Sequence, residues 1–218
     1  MSDPISILLV DDHVMVRTAF KDRLELEPDM TVVANVGTAD EAIKEVAKFM
    51  PDIVLMDVDM PGMLCFDAAK AMNTASFATR VIFLSAFFHD RYIEQALDVK
   101  AWGYITKSES EQSLVKAIRD VSSGVAYFSP EVQSRIVVDS KGPRLARANR
   151  SRATTLTTRE MEILRYLARG MSKKEIAGTL HISVNTVNRH TSSVMNKLDI
   201  HDRVDLARFA IREGMAEA

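Results

Sequence analysis

"DIVLMDVDMPGM", residues 52–63, decides the fold. Four consecutive apolar residues, Ile53 to Met56, follow the pattern of a strand covered on both faces, not one that alternates toward solvent. The run then ends in Asp57 and Asp59 and is stopped by Pro61-Gly62. An acid at the end of so deeply buried a strand needs a reason, and the neighbouring segments supply one.

Short apolar runs recur at 5–10, 31–36, 80–85 and 103–106, and amphipathic stretches lie between them at 15–27, 38–49, 66–73 and 91–98. A last helical stretch runs from Glu109 to Gly124. Five strand–helix units predict an α/β domain over residues 1–125, a doubly wound five-stranded parallel sheet with helices on both faces. Thr38 and Glu41 have the spacing of a capping box, and Gly124 stands where a helix should stop.

In an open parallel sheet, ligands bind beyond the carboxyl ends of the strands. Those ends carry Asp11-Asp12, Asp57 and Ser85, with Lys107 just past the fifth strand. Three carboxylates brought together repel unless a cation sits among them, and hard oxygen ligands suit Mg2+. Lys107 adds a fixed positive charge and Ser85 a hydroxyl, so the set suits a phosphoryl group. A carboxylate can itself attack phosphorus to give an aspartyl-phosphate, and Asp57, on the central strand, is the expected nucleophile.

These positions resemble the receiver domain of bacterial two-component response regulators over roughly residues 5–124. The resemblance is carried by Asp11-Asp12, "LMDVDMP", Ser85-Ala86 and "AWGYITK", 101–107. It implies a flavodoxin-like receiver in which Asp12 and Asp57 bind Mg2+ directly, Asp11 through water and Asp59 through its backbone carbonyl. It also implies a phosphohistidine on a sensor histidine kinase as donor, with Ser85 moving toward the phosphate and Tyr104 turning inward behind it. Two departures lie nearby. Leu64-Cys65 replaces the Asp-Gly that many relatives carry after Gly62-Met63, and Lys100 stands where the family often has glycine. Phe87 is read in two ways, as a shield that lengthens the life of the acyl phosphate or as a dimer-face or helix-start aromatic.

Charge separates the chain into unlike parts. The net charge of −2 averages residues 1–140, with 13 Lys and Arg against 22 Asp and Glu, and residues 141–218, with 15 against 8. An acidic domain joined to a basic one points to a polyanionic partner. The single cysteine, Cys65, excludes a disulfide framework within the chain and reads as an inert loop or helix-start thiol. No apolar run approaches the roughly 20 residues that cross a bilayer, and "MSDPISILLV" lacks a basic lead, so a cytoplasmic protein without a membrane partner is expected.

Residues 126–155 are expected to hold a short helix, with Ser129 at its N-cap and Pro130 at N1, and then a basic linker. The linker's Lys141, Arg144, Arg147, Arg150 and Arg152 are solvated and suited to lie along phosphates. From Leu156 onward only helices are predicted. Thr157–Glu160 and Ser172–Glu175 are capping boxes, "HIS" at 181–183 is a tight turn, and further helices start after Ser183 and Asp202. In the third of these helices Val187, Thr191, Val194 and Leu198 form a core stripe, opposite Asn185, Asn188, Arg189, Ser192 and Asn196. Amide and guanidinium groups on one face match base edges and phosphates, in a small all-α helix-turn-helix domain at 156–218.

Residues 156–198 closely resemble the LuxR-type DNA-binding domain, through Arg159-Glu160, Gly170, "KEIA" at 174–177, Ile182-Ser183, Thr186-Val187, His190 and Lys197-Leu198. Together the two resemblances are those of a NarL/FixJ-type response regulator. They imply contacts to promoter DNA by Lys173, Lys174, Asn185, Thr186, Asn188, Arg189, Ser192 and Lys197. They also imply a homodimer when phosphorylated, RNA polymerase as a further partner, and a regulator that catalyses only its own phosphoryl transfer and slow dephosphorylation. Asn188 and Val184 depart from the lysine and the acid that relatives often carry there, so the DNA sequence is not implied. The last helix serves either dimerisation or the domain core. Two other readings remain, a phosphorylation-independent transcription factor and a haloacid-dehalogenase-type phosphatase acting through Asp57 and Asp59.

Overall fold

Every residue of Ile53–Asp57 is buried, as a strand with neighbours on both edges and helices on both faces requires. In the computed structural model, which describes residues 3–60, 63–75, 78–86, 90–139, 142–145, 152–213 and 215, this segment is β3 of a parallel sheet. The other strands are β1 (Ile5–Val10), β2 (Met30–Val36), β4 (Arg80–Ser85), β5 (Gly103–Thr106) and β6 (Tyr127–Phe128). Their order is β2-β1-β3-β4-β5-β6. Helices α1 (Val14–Leu24), α2 (Ala39–Phe49), α3 (Cys65–Ala75), α4 (Asp90–Asp98) and α5 (Glu111–Ser122) alternate with the strands. The doubly wound fold is as expected, but the sheet has six strands, not five. Two residues are too short a run for periodicity to reveal. β6 docks because Gly103 leaves room, since a Cβ there would lie 2.8 Å from the Tyr127 carbonyl oxygen.

Alternation along the strands divides the core. Ile7, Leu9, Ile53, Leu55, Ile82, Leu84 and Ile105 join Leu24 of α1 and Leu114, Ile118 and Val121 of α5 on one face. On the other, Phe83 meets Phe66 of α3 at 4.7 Å between ring centroids, and Phe66 meets Tyr92 of α4 at 5.8 Å. The register pairs Val10 with Met56, Asp57 with Leu84 and Ser85 with Thr106, which brings the carboxyl ends of β1, β3, β4 and β5 level.

Several helices stop by one device. After α4, Lys100 N–H donates to Leu97 O and Ala101 N–H to Ala96 O, with Lys100 left-handed at φ 56°. This is a Schellman motif, whose left-handed residue is most often glycine. Gly124 fills that position after α5. Lys100 therefore stands at a helix-stop position. At the other ends, Thr38 accepts from Glu41 N–H, but Glu41 accepts from Gly37 N–H and not from Thr38, so the expected capping box is only half formed.

Beyond β6 come α6 (Pro130–Gln133), β7 (Ile136–Asp139) and β8 (Gly142–Leu145), the last two forming a separate two-stranded sheet. That pair occupies the start of the stretch expected to be an irregular linker. Pairing of neighbouring segments satisfies backbone groups without apolar periodicity. Ser129 precedes α6 as expected but makes no side-chain cap bond, because its hydroxyl is engaged with β5. Lys141, Arg147 and Arg150 lie outside the described residues. Arg144 is exposed on β8.

The C-terminal unit holds a 3-10 turn (Arg152–Thr155), α7 (Thr158–Ala168), α8 (Lys173–Thr179), α9 (Val184–Leu198) and α10 (Arg203–Arg212). Both capping boxes are complete. Ile163, Leu167, Ile176, Leu180 and Val187 make its core. α7 ends in a Schellman motif at Gly170, and the turn between α8 and α9 is another, with left-handed His181 in the glycine position. Arg152 donates to Leu198 O at 3.2 Å, covering a carbonyl at the end of α9.

Candidate functional site

Asp11, Asp57, Ser85 and Lys107 meet at the carboxyl edge of the sheet, beside the change of direction between β1 and β3. Lys107 Nζ lies 2.7 Å from Asp11 Oδ2 and 3.1 Å from Asp57 Oδ1, so one ammonium ties two strand ends together. Asp59 N–H donates to Asp57 Oδ1 at 3.2 Å. Asp57 is 1% exposed, and its Oδ2 has no hydrogen-bond partner among the described residues. Burial pushes the Asp57 carboxyl up to about 6, reinforced by Asp59 and Asp11 and opposed by Lys107. Burial also works against the Lys107 ammonium, but Asp57 and Asp11 outweigh it and hold its pKa above the ordinary value.

Ligand atoms of Asp11, Asp12, His13 and Asp57 lie within 4.8 Å of one another. His13 is a member that the sequence reading passed over. Its N–H donates to Asp11 Oδ1 at 2.8 Å, and its ring Nδ1 lies 2.9 Å from Asp12 Oδ1. Its position directly after the acidic pair was the available signal. Two buried carboxylates, a third half-buried beside them, and an Asp57 oxygen without a partner among the described residues fit a hard divalent cation.

Ser85 and Tyr104 are fully buried. Burial pushes the Tyr104 phenol well above its usual range, and its hydrogen bond with the Ser85 side chain works the other way. Tyr104 lies inward and is linked to Ser85. The sequence reading had it turning inward on phosphorylation. The backbone joins the two strands as well, Lys107 N–H donating to Ser85 O at 2.7 Å. Cys65 is buried at the start of α3, its thiol 3.7 Å from Val58 O. Phe87 lies outside the described residues.

In the C-terminal unit, α9 buries Val187, Thr191, Val194 and Leu198 and exposes Asn185, Arg189, Ser192 and Asn196. Thr186 and Asn188 are half-buried on its flanks, and Lys173 and Lys174 are exposed on the first turn of α8. Asn185, Asn188, Arg189, Ser192 and Asn196, with Ser193, line one open groove. Lys197 is different, since its Nζ lies 2.6 Å from Glu160 Oε2. Glu160 is therefore more than a capping residue. It also accepts from Thr157 N–H at 2.7 Å and from Ser193 Oγ, fastening α9 to α7. Burial pushes the Glu160 carboxyl up, but the bonds from Lys197, Ser193 and Thr157 overcome it and hold the pKa at about 2.

The response regulator receiver domain family matches residues 7–119, and the luxR family of bacterial regulatory proteins matches residues 154–210. The response regulator protein VraR of Staphylococcus aureus is 33% identical over 213 residues, 98% of this chain and 99% of that protein. The response regulator ChrA of a heme-sensing two-component system is 28% identical, with a TM-score of 0.53 over 98% of this chain and 100% of that one. RcsB from Salmonella enterica serovar Typhimurium, solved on promoter rprA with a beryllofluoride phosphomimetic, is 19% identical. Its TM-score is 0.65 over 95% of this chain and 98% of that one, and it shows the shared fold. With a receiver edge and a LuxR-type helix-turn-helix in one chain, the protein belongs to the NarL/FixJ-type DNA-binding response regulators of two-component systems.

Proposed function

We propose that Asp57 accepts a phosphoryl group in a Mg2+-dependent reaction from a sensor histidine kinase, and that the resulting charge controls promoter binding. The observation that carries this reading is the Asp57 carboxylate itself. It is buried, with one oxygen lacking a partner among the described residues and the other within reach of Lys107. Asp11, Asp12 and Asp57 would hold the Mg2+, with Asp59 contributing its backbone carbonyl. When bound, the ion neutralises negative charge on the transferring phosphoryl oxygens. Asp57 attacks phosphorus, the bond to the donor breaks, and the donor leaves with the electron pair. Lys107 and Ser85 bind phosphoryl oxygens, and Ser85 draws on its link to Tyr104 as it does so.

Phosphorylation replaces the single charge of the Asp57 carboxylate with a dianionic acyl phosphate beside Asp11 and Asp59, which biases a two-state element at the ends of β4 and β5. The phosphorylated chain dimerises and lays α9 into the major groove of a two-fold promoter site. Asn185, Thr186, Asn188, Arg189 and Ser192 face the DNA, and Lys173 and Lys174 reach phosphates. RNA polymerase is a further partner at the promoter. No helix among the described residues is long and apolar enough to cross a membrane; the proposed site of action is the cytoplasm. A second reading, a phosphorylation-independent regulator, draws on Tyr104 being fully buried and hydrogen-bonded to the Ser85 side chain.

Intact mass after incubation with Mg2+ and acetyl phosphate tests the proposal. A gain of one phosphoryl group is expected in the native protein and none in Asp57→Asn. No gain in the folded native protein, with beryllofluoride also failing to bind, would favour the second reading.

A further inference from the structure

β6 stops at Phe128, so it covers only Gly103 and Tyr104 of β5. The next amide along that edge, Thr106, is beyond the reach of the strand. Ser129 takes over there. Thr106 N–H donates to Ser129 Oγ at 3.0 Å, Ser129 Oγ donates to Tyr104 O at 3.3 Å, and Ser129 N–H donates to the same carbonyl at 3.0 Å. The residue is fully buried. A serine at the N-cap of a helix ordinarily accepts from that helix's own first amides. Ser129 makes no such bond to α6; its hydroxyl is turned to β5, where it donates once and accepts once.

The same residue also begins α6. Gln133 N–H donates to Ser129 O at 2.8 Å, and Gln133 Nε2 donates to Phe128 O at 2.7 Å. On the other side, one residue past Thr106, Lys107 spans Asp11 and Asp57. An unbroken run of backbone and short hydrogen bonds therefore joins the phosphoryl edge, through β5, to the first turn of α6. The receiver family match ends at residue 119, before Ser129.

We infer that Ser129 is a positioning residue that makes the first turn of α6, and with it the segment leading to the DNA-binding unit, move with the Tyr104–Lys107 end of β5. This rests on the phosphorylation of Asp57 proposed above. A two-state element carries a signal only through a rigid attachment that both ends bias, and Ser129 is that attachment.

The test is residue-resolved amide hydrogen exchange on the full chain with Mg2+, before and after beryllofluoride is added. Exchange at Thr106, at Gln133 of α6 and at Ser134, its C-cap, should change together, by about 5-fold or more. In Ser129→Ala, phosphoryl uptake from acetyl phosphate should persist and Thr106 should still respond to loading, while the α6 amides exchange equally with and without it. A merely structural serine would speed α6 exchange in both states and leave their ratio intact, and that result would overturn the inference. So would native α6 amides that ignore loading while Thr106 responds, a measurement that needs no variant. Failure of the native protein to take up a phosphoryl group would overturn the reading of Asp57 and the inference with it.

Discussion

Asp57 is a carboxylate placed where water does not solvate it, and its protonation follows from that. Its pKa rises from 3.8 to about 6 on folding, so the folded chain holds the proton more tightly than the unfolded one. A raised acid contributes stability below its unfolded pKa and loses that contribution as pH rises through the folded value. Without divalent ions, Asp57→Asn should therefore melt higher than the native protein near neutral pH, by on the order of 2 kcal/mol. The gain should shrink as pH falls from about 6 to about 4, which melting scans across that range would check. A variant less stable at neutral pH would mean that the Lys107 attraction outweighs burial. Added Mg2+ should raise the native melting temperature and leave Asp57→Asn nearly unmoved. At another residue, left-handed Lys100 bears a steric penalty that glycine lacks. Lys100→Gly should raise stability by about 0.5–1 kcal/mol, measured by urea denaturation.

At the scale of elements, the helix starts were legible in sequence because a cap is a local motif. Thr157–Glu160 and Ser172–Glu175 formed the boxes their spacing predicts. Ser129 and Glu41 turned elsewhere, because partners remote in sequence or one residue out of pattern competed for the same groups. Glu160 shows both behaviours at once, a cap read from spacing and a bond to Lys197 that spacing does not reveal. Glu160→Gln should destabilise the protein by about 2 kcal/mol in chemical denaturation, since it weakens charge-assisted bonds of a buried group. A folded pKa of about 2 against an ordinary 4.5 means that the carboxylate's contribution is present above about pH 4.5 and fades as pH falls toward 2. The difference between native protein and variant should therefore narrow in acid. Because Lys197 is occupied by Glu160, Lys197→Gln should lower stability while sparing the salt dependence of DNA binding. Lys173→Gln should instead reduce the slope of log affinity against log salt by about 0.9.

For the whole molecule, charge separation does the work that no single residue does. Residues 141–218 carry 15 Lys and Arg against 8 Asp and Glu, so duplex binding should weaken steeply with salt. Loading with Mg2+ and beryllofluoride should raise the affinity of the full chain for a duplex selected from a random pool, and should do nothing for Asp57→Asn. Equal affinities for the loaded and free native protein would count against phosphorylation control and favour the constitutive regulator.

The sequence by itself determined the doubly wound sheet, the acids and lysine at its carboxyl edge, and the polar face of α9. Each is a pattern of burial period or strand-end chemistry that short stretches carry on their own. Only the tertiary structure decided that a sixth strand closes beside β5, that Tyr104 lies inward, that Lys197 answers to Glu160, and that Ser129 bonds β5 instead of capping α6. In each of these cases a polar group or short strand had a choice of partners. For the sixth strand, Lys197 and Ser129 the winner was set by which backbone or carboxylate packing brought within hydrogen-bond reach, a proximity that no local spacing encodes.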